Sequence, residues 1–97
     1  MKKILVVFIL FLAVSPIFAQ NTEEAKKHFA KGLTIVETAK SPADFENAVK
    51  EFEIATGIAP NLAAAYFNIG AIQENLGRYE QAIGNFKRYL QILPYAK

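Results

Sequence analysis

The stretch Ala63–Pro94, AAAYFNIGAIQENLGRYEQAIGNFKRYLQILP, decides the fold. Tyr66, Ile69, Gly70 and Gln73 recur at spacings that place them on one face of a helix. After a break at Gly77, Ala82, Phe86 and Tyr89 do the same on a second helix. Gly70 and Ala82 are small residues where two helices could nearly touch, and Tyr66, Ile69 and Phe86 are large neighbours that fill the space beside them. The stretch reads as two amphipathic helices joined by a tight turn.

The segment before it carries the same pattern. Ala48 and Ala82, Phe52 and Phe86, Phe45 and Tyr79, and Pro60 and Pro94 are each 34 residues apart. Phe29 and Phe67, like Gly32 and Gly70, are 38 apart. Four extra residues therefore lie between Ile35 and Asp44, about one helical turn. The shortest accommodation is a first helix one turn longer, running to Ala39 or Lys40 before a Ser-Pro turn; a bulge is the alternative. This first helix starts at Asn21-Thr22-Glu23-Glu24, where Thr22 or Asn21 can cap and the glutamates favour the positive end of the dipole. It carries Ala25, His28, Phe29, Gly32, Leu33, Ile35 and Val36 as an apolar stripe. Ser41 is the expected cap of the next helix, with Pro42 in its first turn and Pro60 as its stop. Asn61 is then expected to cap a helix beginning at Leu62.

The pattern Tyr66-x2-Ile69-Gly70, Ala82-x3-Phe86, Pro94 resembles the tetratricopeptide repeat, with Gln73 standing where that family usually has an aromatic. Two tandem repeats, about 22–60 and about 63–94, are expected within a domain spanning 20–97. The implied architecture is all-α: a short α-solenoid of four antiparallel helices, preceded by an apolar leader.

That leader is Met1-Lys2-Lys3, the apolar run Ile4–Val14, then Ser15-Pro16-Ile17-Phe18-Ala19-Gln20. A basic start, a short apolar core and a small residue before a polar stretch describe a signal peptide over 1–19, cleaved after Ala19. The run is short of the roughly 20 residues a membrane span needs. The chain is accordingly expected to be exported, periplasmic or secreted; an uncleaved leader acting as an amino-terminal anchor is the alternative, and only then is a membrane involved. Removing Lys2 and Lys3 takes the eleven basic residues to nine, against nine acidic, so no cationic surface for nucleic acid is expected. The lack of cysteine excludes disulfides and thiolate metal sites.

Catalytic chemistry is thin. His28 is the one histidine, without a nucleophile beside it, and reads as a packing or hydrogen-bonding residue. Glu23-Glu24 and Glu51-x-Glu53 are paired carboxylates read onto solvated helix faces. The expectation is a non-enzyme with no catalytic residue, no metal site and no cofactor.

The resemblance implies a concave groove lined by first helices that takes a peptide or a partner's helix. Its lining here would be Lys26, Phe29, Leu33, Val36 and Glu37, with Phe67, Asn68, Ala71, Glu74 and Asn75 from the second repeat. The family's carboxylate clamp needs lysine and asparagine. Asn68 matches one member, while Phe29 and Leu33 stand where the first repeat needs the others. Two repeats are also fewer than the three or so that normally bury such faces. Phe86, Tyr89, Leu90 and Leu93 therefore read as an open edge. Two functions follow: a module that binds a protein or peptide partner, or a structural subunit that self-associates or stacks through that edge.

Overall fold

The structure, a computed structural model, describes residues 22–93. Within them the chain forms helices joined by short turns, with no strand among the described residues. Helix α1 covers 22–38, α2 Pro42–Ile58, α3 Ala63–Asn75 and α4 Tyr79–Ile92. The leader, Asn21 and Pro94–Lys97 lie outside the described residues.

Two interhelical contacts build the fold, and they are the same contact made twice. A Cβ placed on Gly32 of α1 would fall 2.6 Å from Phe52 Cε1 of α2, and one on Gly70 of α3 would fall 2.7 Å from Phe86 Cε1 of α4. Hydrogen in place of a side chain lets each ring lie flat on the opposing backbone. A second ring leans on each: Phe29 on Phe52 at 5.4 Å and 50°, Phe67 on Phe86 at 5.7 Å and 53°. Tilted aromatic pairs of this kind contribute about 0.5–1.5 kcal/mol beyond their area. Between the two pairs sits the core, Ala48 and Phe52 of α2 against Ala65, Ile69 and Ile72 of α3.

The turns follow their local chemistry. Ser41 Oγ accepts from the Asp44 amide at 3.2 Å, and Asp44 Oδ2 accepts from the Lys40 amide at 3.0 Å, with Pro42 in the first turn. Gly77 has φ +78°, and the Arg78 and Gly77 amides donate back to Gln73 and Glu74 carbonyls at 2.8 and 3.0 Å. This left-handed ending satisfies carbonyls the helix leaves open.

Two expectations are corrected here. The extra turn does not lengthen α1 at its carboxy end. Helix α1 stops at residue 38, one residue past the equivalent of Asn75, whereas α2 starts at Pro42, three residues before the equivalent of Tyr79. The insertion is absorbed mainly at the front of α2. Proline disfavours helical backbone at Ser41, so α1 cannot continue into it, while the Ser41 cap starts α2 early. The second correction concerns Asn61. Helix α3 begins at Ala63 behind Leu62, without a side-chain cap, because the Leu62 amide donates to the Ala59 carbonyl at 3.1 Å and holds Asn61 inside a turn.

Candidate functional site

Helical spacing puts Lys26, Phe29, Leu33 and Val36 on one stripe of α1, and Phe67, Ala71 and Glu74 on the matching stripe of α3. Their environments differ. Phe29 and Val36 are half-buried against the core, whereas Leu33 is 37% exposed. Phe67 is 48% exposed although its ring rests on Phe86 and, at 5.3 Å, on Tyr89. One side of that ring is fixed by packing and the other is offered outward. Lys26 is exposed and pairs with Glu23 at 3.7 Å, a contact worth little in solvent. Asn68 Nδ2 donates to the Ala64 carbonyl of its own helix at 2.7 Å. Ala71 is partly covered and Glu74 exposed.

On α4, Phe86 is half-buried between α3 and α4, under Gly70, instead of lying on the open edge. Tyr89 is half-buried on Phe67, so groove and edge residues meet there in one aromatic cluster. Leu90 and Leu93 remain exposed, 49% and 45%, and Ile83 joins them at 52%. Ile83 was missed by sequence reasoning, although its place seven residues before Leu90 puts it on the same stripe.

Polar groups inside the helix pairs are partnered. His28 Nδ1 donates to Glu51 Oε1 at 2.8 Å, tying α1 to α2. Glu51 is therefore partly buried and engaged, also by Lys31 at 3.9 Å, which corrects its reading as a solvated carboxylate. Gln73 is buried where the repeat pattern has an aromatic, and its Oε1 accepts from Asn85 Nδ2 at 2.7 Å. No buried side-chain nitrogen or oxygen among the described residues lacks a partner. Arg78 pairs with Glu46, linking the α3–α4 turn to α2. Beside that pair an open cleft of about 530 Å³ runs between α2 and α4, bordered by Lys50, Glu53, Gln81 and Gly84. Among the described residues no group of three His, Cys, Asp or Glu side chains is placed to hold a metal, and no helix is long and apolar enough to cross a membrane.

Paired antiparallel helices with a glycine–phenylalanine contact repeated along the chain define a helical-repeat protein. Residues 63–95, about a third of the chain, match the family described as tetratricopeptide repeat. Repeats of this family are typically non-enzymatic modules that bind protein partners. No curated protein and no solved structure matches the chain.

Proposed function

We propose that this protein is an exported, non-enzymatic interaction module that binds a peptide or a partner's helix along the face shared by α1 and α3. On this reading residues 1–19 are a cleaved signal peptide, 22–60 form a first repeat, and 63–94 the second. Phe67 carries the proposal. It is a phenylalanine with half its surface in solvent, held from behind by Phe86 and Tyr89. A rigid aromatic loses little entropy on contact, as anchor residues of interfaces do. Leu33 supplies a second exposed apolar contact on α1.

The test is recovery of co-purifying proteins from the native cell with the wild-type chain, Leu33→Glu and Phe67→Glu. Circular dichroism checks that each variant stays helical. The partner is expected to be lost from both variants; undiminished recovery with both folded variants would refute the site. Mass spectrometry of the purified chain should find an amino terminus at Gln20, and retention of Met1 or Lys2 would refute cleavage.

A further inference from the structure

The two ends of the helix stack differ in chemistry, and the repeat offsets show how. On α2, Phe45 and Val49 pack against the core beneath α3, and their equivalents 34 residues on are Tyr79 and Ile83, which are 64% and 52% exposed. Nothing among the described residues covers that face of α4. At the other end, the α3 residues that pack on α2 are Ala65, Ile69 and Ile72, and their equivalents 38 residues earlier on α1 are Lys27, Lys31 and Thr34, all exposed. The outer face of α1 is thus polar where α3 is apolar. Head-to-tail stacking of copies would bury Lys27 and Lys31 against Ile83 and Leu90, with no acid on that apolar stripe to meet them.

We propose that the outer face of α4 pairs with the same face of a second copy, antiparallel, about a twofold axis that passes beside Ile83, at the level of residues 84 and 85 along the helix. Tyr79, Ile83, Leu90 and Leu93 are all exposed and are spaced four, seven and three residues apart, which aligns them on one stripe as in helices that pack lengthwise. Antiparallel packing sets Tyr79 of one copy against Leu90 of the other, and brings the two Ile83 side chains together near the axis. One rim of the seam carries Glu80 and Lys87, seven residues apart and both exposed. In this arrangement Glu80 of each copy faces Lys87 of the other, giving two symmetric ion pairs. A parallel pairing leaves both without an opposite charge across the seam. The charge pattern is therefore self-complementary only about the twofold, which is the closed symmetry of an isologous dimer.

The chain, purified from cells expressing its full sequence, is expected to sediment as a dimer at micromolar concentration. Leu90→Glu alters a side chain already exposed, and it should raise the dissociation constant about a hundredfold with helical content unchanged. Glu80→Lys alone should raise it about fivefold, and Glu80→Lys with Lys87→Glu should restore it. Because the protein has no cysteine, Ile83→Cys and Leu90→Cys each give a single thiol. A short cross-linker should join two copies at position 83, about 5 Å apart along the seam, and fail at 90, about 16 Å apart. A monomer at micromolar concentration, a fully dimeric Leu90→Glu, no rescue by the charge swap, or equal cross-linking at both positions would overturn the pairing.

Discussion

The α1–α2 pair and the α3–α4 pair use one contact, a phenylalanine laid over a glycine, yet they bury it differently. Phe52 is fully enclosed, whereas Phe86 is only half-buried, although each ring meets its glycine and a second phenylalanine at nearly the same distance. The difference comes from outside the pair. Helix α3 roofs α2, and no described helix roofs α4. Position 55 shows the consequence: Ala55 is fully buried, and its equivalent is Tyr89, large enough to cover Phe67 from the unroofed side. Repeat geometry is thus local to a helix pair, while repeat stability depends on the neighbour.

The largest test of this contrast is truncation of the two rings. Phe52→Ala should cost about 3–5 kcal/mol, enough to unfold most of a chain this small, and Phe86→Ala should cost at least about 1 kcal/mol less. Urea titration followed by circular dichroism measures both, and equal losses would break the comparison. Next come the glycines. In Gly32→Ala the new methyl meets a ring that cannot move, so the expected loss is about 2–3 kcal/mol; in Gly70→Ala the half-exposed ring can yield, and about 1 kcal/mol is expected. Thermal melts should keep that order.

The buried amide pair is a smaller effect confined to the second helix pair. Asn85→Ala leaves the Gln73 oxygen without its donor and should cost about 1–3 kcal/mol. Adding Gln73→Leu should recover most of that loss, and no recovery would mean that the Asn85 amide acts elsewhere. The smallest pair concerns backbone. Gly84→Ala, where a methyl meets nothing within 4 Å, should stabilise by up to about 1 kcal/mol, whereas Gly77→Ala, at φ +78°, should destabilise by about 1 kcal/mol. Chemical denaturation of the two variants should shift the midpoint in opposite directions.

Much of the fold was legible because its signals are short-range. The three-and-four spacing from Tyr66 to Gln73, the Ser41-Pro42 start and the Gly77 stop each act within one or two turns. The location of the extra turn was not legible, since lengthening α1 or starting α2 early fits the same residue count. Of the candidate site, Leu33, Phe67, Leu90 and Leu93 could be named from periodicity, and they are exposed. Periodicity could not say that Phe86 faces Gly70 more than the open edge, or that Tyr89 lies over Phe67. Both outcomes depend on how closely α3 and α4 approach.

The amino-acid order by itself determined four helices and their pairing, because each follows from spacing along the chain, whereas the phenylalanine rings laid over Gly32 and Gly70 emerged only in three dimensions. Only the tertiary structure decided that Phe52 is enclosed while Phe86 is not, that His28 reaches Glu51, and that Gln73 is satisfied by Asn85. Burial and hydrogen bonding across helices are set by three-dimensional neighbours, and those neighbours lie 12 to 23 residues away along the chain.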